Sequence, residues 1–360
     1  PLTKHDAQTL GDDLCDQRRP AERAYTTGGS TGSPTKFHGW NREIETDNIN
    51  RWLGRSFYGI KPADPCFLVW GHHHLLGTGH KAKLRAMILA AKDSSQKRTR
   101  FNAYNLSEAR AREAGDLILK RKPSYVIGYS SALDLIARAN RDRADEFSAL
   151  GLKASIACAE SYPRPDSAQE ISETLGCPAA MEYGAVESHI TAYTTPEGGY
   201  RVFWLDHLFE LGEPGPGGGR VVRITSLYER KTPLIRYEIG DEILPTEGEP
   251  LIGPARIQGV IGRVNSIITL PDGKAVHTAA ISRAISDRRD ISQFQIIDSK
   301  KGMRLRIVPT TEDAQAPISA HVLNNLTKIS SSLSSTPIEF VDHIEQSLAG
   351  KTPLVLHEAG

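Results

Sequence analysis

Apolar and polar positions follow one rhythm up to about residue 198 and another beyond it. In the first part, short apolar runs alternate with stretches of helical spacing. Residues 46–58 carry apolar side chains at near-helical intervals, and 66–70 (Cys-Phe-Leu-Val-Trp) is the kind of run a buried strand shows. Residues 81–92 and 107–122 read as helices, with Leu117 and Ile118 on the apolar side of the second. A turn at Pro123 leads into a strand ending at Tyr129; 131–140 is an amphipathic helix, 151–159 a buried strand and 167–175 a helix. Strands alternating with helices predict a largely parallel sheet covered by helices.

Past residue 198 the segments 199–211, 219–226 and 234–244 are β-rich and separated by Gly/Pro turns such as 212–217. They predict a small antiparallel barrel or sheet. From about residue 265 the alternation returns, with strands at 294–298, 303–309 and 338–341 and a helix at 318–333. The expected architecture is α/β. A large N-terminal domain over 1–264 has a mostly parallel sheet and a small β-barrel-like region, and a small α+β domain over 265–360 follows it.

The chain has 360 residues, enough for one large domain and a smaller one. Hydrophobic residues make up 39% and mean hydropathy is −0.37, as in a globular chain. Lys+Arg at 44 against Asp+Glu at 43 gives no electrostatic footprint for nucleic acid or an anionic membrane. No apolar run has membrane-spanning length and no signal peptide is visible, so the expectation is a cytoplasmic protein. Cys15, Cys66, Cys158 and Cys177 are far apart with no C-x-x-C, which fits reduced thiols. The chain begins at Pro1 without methionine, so a truncated N-terminus is expected.

Chemistry concentrates at a few places. Residues 26–37 read Thr-Thr-Gly-Gly-Ser-Thr-Gly-Ser-Pro-Thr-Lys-Phe. Glycines let the backbone turn with positive φ and approach a ligand closely. Bared N–H groups and hydroxyls then suit an anion such as phosphate, and Lys36 adds a mobile charge. A plain Gly/Ser/Thr surface loop has the same composition, and the stretch is no Walker loop because no Gly-Lys-Ser/Thr closes it. His72, His73 and His74, with His80 nearby, follow the apolar run at 66–70. They fit a pocket beyond a strand end better than a metal, since no partner Cys or acid completes a zinc pattern. Tyr183-Gly184-Ala185-Val186-Glu187, Gly240-Asp241, Gly262-Arg263 and Gly350-Lys351 are each also readable as turn or solvated surface residues.

Taken in order, these pieces resemble the adenylate-forming superfamily of acyl-CoA ligases, luciferases and non-ribosomal adenylation domains. Its phosphate loop, Thr/Ser-Ser-Gly-Ser/Thr-Thr-Gly-x-Pro followed by Lys, is matched by Thr27, Gly28, Gly29, Ser30, Thr31 and Gly32 with Lys36; Gly28 stands where Ser is usual. The family's Tyr-Gly-x-Thr/Ser-Glu is matched at 183–187, with Val186 in place of the hydroxyl that contacts the α-phosphate. Arg-Tyr-x-x-Gly-Asp is matched at 236–241. Gly-Arg-x-Asp-Asp/Glu-x-Ile is matched at 262–268, with Asn265 and Ser266 replacing the acids of the hinge. The resemblance covers residues 27 to 351 and is nearest the phenylacetate-CoA ligase and CapK-like branch, which also carries Leu-Thr-Lys before the phosphate loop, here Leu2-Thr3-Lys4.

The resemblance implies ATP and Mg²⁺ as cofactors and CoA as co-substrate. A small carboxylic acid would be converted to acyl-AMP with release of pyrophosphate and then passed to CoA. The alternatives are a biosynthetic ligase that hands the acyl group to an amine, hydroxyl or carrier protein, and a catalytically weakened nucleotide-binding relative. Ala159, Glu160, Ser161, Tyr183 and Gly184 would border adenine, and Asp241 would hold the ribose with help from Arg263. Glu187 would bind Mg²⁺, Lys351 would act in adenylation, and Trp70, His72, His73, His74 and Tyr129 would line the acid pocket.

Overall fold

The computed structural model describes residues 1–27, 35–71, 80–103, 106–263, 267–270, 272–286, 288, 290–299, 302–345 and 354–358. The chain packs as two compact units, Pro1–Gly59 with Met181–Ser266, and Ile60–Ala180 with Ile267–Gly360.

The first unit is built on antiparallel strands lying side by side. Their order is Ala179–Ala185, His189–Thr194, Tyr200–Val202, Arg256–Arg263, Tyr237–Pro245, Arg220–Ser226 and His207–Pro214. Burial alternates along them as a pleated strand requires: His207, Phe209 and Leu211 are buried on one strand, and Tyr237, Ile239 and Asp241 on another. Tyr237, Phe209 and Ile224 are wholly buried and form part of its core. The β-rich segment takes the open-sheet form, and no closed barrel exists among the described residues. Among the described residues, the outer strand His207–Pro214 meets only an isolated bridge, Glu210 to Ile252, on its far side. A 16-residue helix, Asn41–Ser56, packs on the strand His189–Thr194. Gly54 makes this close approach possible, because a Cβ there would sit 2.2 Å from the Tyr193 ring. A short helix, Lys4–Leu10, starts at Thr3, whose Oγ1 accepts the Asp6 N–H while the Asp6 carboxylate accepts the Thr3 N–H.

The second unit contains the expected parallel strands, ordered Ser155–Cys158, Tyr125–Tyr129, Cys66–Val69 and Arg98–Phe101. Every residue of Tyr125–Tyr129 is buried, as in a parallel strand covered on both faces. The helices His80–Ser95, Glu108–Arg121, Ser130–Ala139 and Ser167–Leu175 fall where the apolar spacing places them. Further on, the strands Ile338–Phe340, Gly302–Pro309, Ile291–Ser299 and Val355–Glu358 form a small sheet. Ile281, Ile285, Ile296, Leu305, Ile307, Ile318, Val322 and Leu326 fill the core between this sheet and the helices Thr278–Ser286 and Gln315–Ile329. The last helix stops at Ile329, where Ser330 turns extended and a 3-10 turn, Ser331–Leu333, replaces the expected continuation. All four cysteines are buried and unbridged. Among the described residues no helix is long and apolar enough to cross a membrane.

Candidate active site

The Gly/Ser/Thr stretch is the connection of a hairpin. Arg23–Thr26 pairs antiparallel with Lys36–Gly39, with Thr26 opposite Lys36. Inside that pair, the Thr27 N–H donates to the Thr35 carbonyl at 3.0 Å and the Thr35 N–H donates to Thr27 Oγ1 at 2.9 Å. Gln8 Nε2 donates to Thr35 Oγ1 at 2.9 Å. The buried Thr27 hydroxyl therefore closes the neck of the connection, while Lys36 is exposed. Gly28, Gly29, Ser30, Thr31 and Gly32 lie outside the described residues.

Strand alternation turns Asp241 to the buried face of Tyr237–Pro245, and antiparallel register sets Arg263 directly opposite it. The Arg263 Nε lies 3.1 Å from Asp241 Oδ1, and its Nη1 donates to the Ile239 carbonyl at 2.8 Å. On the other carboxylate oxygen, the Tyr183 hydroxyl donates to Oδ2 at 3.0 Å. Burial pushes the Asp241 carboxyl up, against the pull of Arg263 and the Tyr183 hydroxyl. Arg263 is held charged by Asp241, and burial with the adjacent carboxylate lifts the Tyr183 hydroxyl far above its usual range, so it stays a donor. Asp241 is about 10% exposed and the Arg263 side chain 47%, so part of the guanidinium is open to a ligand.

Glu187 sits on the tight connection between Ala179–Ala185 and His189–Thr194. The Ala185 N–H donates to Ser188 Oγ at 3.1 Å, and His189 adopts a positive φ of 63°. Gly184 is required there: a Cβ would lie 2.0 Å from the His189 carbonyl oxygen. Glu187 is buried, and Tyr237 donates its hydroxyl to Oε1 at 3.2 Å. Burial, then the nearby Glu187 charge, raises the Tyr237 hydroxyl above its usual range. The Arg230 Nη2 donates to the Glu187 carbonyl at 2.5 Å. Val186, at 45% exposure, presents an apolar side chain from the same turn.

Among the described residues no cluster of three His, Cys, Asp or Glu is arranged to hold a metal. Mg²⁺ does not need one, because it takes one or two carboxylates and completes its octahedron with water and phosphate oxygens. Glu187 fits that donor set with one oxygen steadied by Tyr237.

In the second unit, Trp70 and Tyr129 stack with ring centroids 4.3 Å apart and planes 22° from parallel. They lie at the carboxyl ends of adjacent parallel strands, where open α/β sheets bind ligands. Ala159 follows the next strand with φ 71°, and Ser161 is exposed. Glu160 faces the helix Ser130–Ala139: its Oε1 accepts the Ser131 N–H at 3.0 Å and the Ser131 hydroxyl at 2.5 Å. Its carboxylate thus complements the positive helix end, a role the motif did not reveal. His72, His73, His74, Asn265, Ser266 and Lys351 lie outside the described residues.

The structure brings Tyr183, Asp241 and Arg263 together and sets Glu187 against Tyr237. Sequence reasoning matched Tyr237 within the motif at 236–241 but gave it no role, although it lies four residues before Asp241 and therefore on the same strand face. It also passed over Arg230 and Glu43, which meet across a long sequence separation with no spacing signal.

Comparison with protein families finds no match, and comparison with curated protein sequences finds none either. Solved structures do match. A 2-hydroxyisobutyryl-CoA ligase in the postadenylation state, in complex with 2-HIB-AMP, aligns over 99% of this chain and 80% of its own, with TM-score 0.69 and 18% identity. The anthranilate CoA ligase AuaEII, in complex with anthranoyl-AMP, aligns over 91% of this chain and 65% of its own, with TM-score 0.61 and 14% identity. The amide bond synthetase McbA from Marinactinospora thermotolerans aligns over 90% and 66%, with TM-score 0.58 and 14% identity. This chain has the fold of adenylate-forming ligases.

Proposed function

We propose that this protein activates a small carboxylic acid with ATP and passes the acyl group to CoA. The acid's carboxylate oxygen attacks the α-phosphorus, the bond to the pyrophosphate oxygen breaks, and acyl-AMP and pyrophosphate result. The CoA thiol, losing its proton, then attacks the acyl carbon and AMP leaves. The observation that carries the reading is the buried Asp241 carboxylate held between the buried Tyr183 hydroxyl and the half-exposed Arg263 on this fold. A carboxylate steadied by two donors keeps lone pairs for a diol, and a ribose supplies one.

The chain's own residues have distinct tasks in this reading. Asp241 orients the nucleotide through its ribose, and Arg263 holds the ribose or the phosphates. Tyr183 and Gly184, with Ala159, Glu160 and Ser161, border adenine. Thr27, Gly28, Gly29, Ser30, Thr31, Gly32 and Lys36 cradle the phosphates. Trp70, His72, His73, His74 and Tyr129 shape the acid pocket. Acid and triphosphate are both anions, so the work is positioning and charge neutralisation, to which Lys36, Arg263 and Lys351 contribute. Glu187 would hold Mg²⁺, whose contribution is to offset phosphate charge. We assign residues 1–264 to a large domain and 265–360 to a small one carrying Lys351, the whole to the phenylacetate-CoA ligase and CapK-like branch, and the protein to the cytoplasm.

A second reading replaces CoA with an amine, hydroxyl or carrier-protein acceptor; the likeness to an amide bond synthetase favours keeping it. A weakened nucleotide-binding relative is the third, favoured by Val186 where the α-phosphate contact is usual. Incubation with Mg·ATP, a panel of small acids and either CoA or amines, read by mass spectrometry, separates them. Acyl-CoA and AMP formed together support the main reading. Amide without thioester moves the assignment to the second, and adenylate with neither acceptor used points to a carrier protein.

A further inference from the structure

Behind Glu187 lies a buried ion pair that binds no part of the nucleotide in the reading above. The Arg230 side chain is 2% exposed and Glu43 is wholly buried, with Arg230 Nε 3.3 Å from Glu43 Oε2. Arg230 Nη1 donates to Ser226 Oγ at 3.2 Å and Nη2 to the Glu187 carbonyl. Glu43 Oε1 accepts the N–H of Trp40 at 2.8 Å and of Lys231 at 2.9 Å. Glu43 therefore ties the start of its own helix to the segment that carries Arg230. Neighbouring anchors act on the far side of the turn. Asp47 Oδ1 accepts the Ile190 N–H at 3.0 Å, and the Tyr228 hydroxyl lies 3.2 Å from His189 Nδ1.

Burying both charges is costly, and an apolar pair of the same shape commonly stabilises a fold as well. An apolar pair cannot donate to the Glu187 carbonyl. We propose that Arg230, neutralised by Glu43, is a positioning residue that fixes the Glu187 turn so that its carboxylate meets the metal of the metal–nucleotide complex. The proposal rests on the reading of Glu187 as the metal carboxylate. Tyr237 steadies the carboxylate itself; Arg230 steadies the backbone from which it projects.

The probe is Mn²⁺ complexed with α,β-methylene-ATP, its binding to the protein followed by water-proton relaxation, with calorimetry of the metal-free analogue alongside. The charge-neutral double variant Glu43→Gln/Arg230→Met avoids stranding one buried charge, and Arg230→Lys tests rescue. The expected result is about tenfold weaker binding of the metal complex by the double variant, with metal-free binding within about twofold of wild type, as for loss of an outer-sphere partner. Arg230→Lys should recover part of the loss. Adding Glu187→Gln to the double variant should cost little more, because both changes act through one carboxylate. Fully additive losses, or an unchanged metal complex in the double variant while Glu187→Gln alone weakens it, overturn the positioning role and leave the Glu187 assignment standing. An unchanged metal complex in Glu187→Gln alone removes that assignment and this proposal with it.

Discussion

Asp241→Ala removes the carboxylate on which the nucleotide reading rests. In the protein that carboxylate holds the Tyr183 hydroxyl at 3.0 Å and the Arg263 Nε at 3.1 Å. Hydrogen bonds to a charged group contribute about 1.5–3 kcal/mol, so losing the ribose contacts should weaken ATP by about 2–3 kcal/mol, roughly 30- to 150-fold in Kd. Stability should fall as well. The Tyr183 hydroxyl is stranded in the core at a cost of about 1–3 kcal/mol, whereas the half-exposed Arg263 side chain recovers water and adds little. Tyr183→Phe is the control, since it removes the donor and keeps the carboxylate. Calorimetric titration with ATP and with 2′-deoxy-ATP isolates the contact. The wild type should discriminate between them, Tyr183→Phe should retain most of that preference, and Asp241→Ala should treat the two alike. An Asp241→Ala protein that stays folded and binds ATP as wild type does, or still prefers ATP over its 2′-deoxy form, refutes the ribose assignment.

Lys351→Ala should slow adenylate formation by about 10²–10³, the scale of losing one preorganised donor to a developing anion, and barely change consumption of synthetic acyl-AMP by CoA. Equal losses in both half-reactions contradict a role confined to the first. His207 is buried, and burial followed by the Arg230 charge lowers its pKa to about 3. An unfolded histidine takes a proton below about pH 6.5 and the folded one does not until about pH 3, so its share of stability is intact near neutral pH and falls as the pH drops between those values. By pH 5 that loss is about 2 kcal/mol, and His207→Leu should flatten it in urea titrations at pH 7 and 5; an unchanged pH slope refutes the assignment. Gly184→Ala should destabilise by about 1–3 kcal/mol in the same titration, because its Cβ meets a backbone oxygen that cannot rotate away. A wild-type midpoint means the turn relaxes.

The parallel strands and their helices were legible because Cys66–Val69, Tyr125–Tyr129 and Ser155–Cys158 are largely apolar runs without alternating charges and the intervening helices keep their spacing. The arms of the hairpin at Arg23–Thr26 and Lys36–Gly39 are four residues each, too short for a two-residue period to stand out beside a Gly/Ser/Thr stretch. Arg256–Arg263 was missed because glycines and polar residues break its apolar pattern. At the site, Asp241 with its partners Tyr183 and Arg263, and Glu187, were visible as motif residues, but the roles of Tyr237 and Arg230 in supporting Glu187 were not. Tyr237 followed from strand alternation once the strand was known. The Arg230–Glu43 pair did not, because it depends on a helix and a loop far apart in sequence meeting behind one turn. Glu160 shows the converse: its motif suggested adenine, and its carboxylate caps a helix.

Acid-dependent exchange of labelled pyrophosphate into ATP tests the central claim most directly, because it reports reversible acyl-adenylate formation without requiring the acceptor. With a panel of aromatic and short aliphatic acids and Mg²⁺ present, at least one acid should drive exchange, and omitting that acid should abolish it. No exchange with any acid, in protein shown by calorimetry to bind ATP, contradicts the account and leaves a nucleotide-binding protein of this fold.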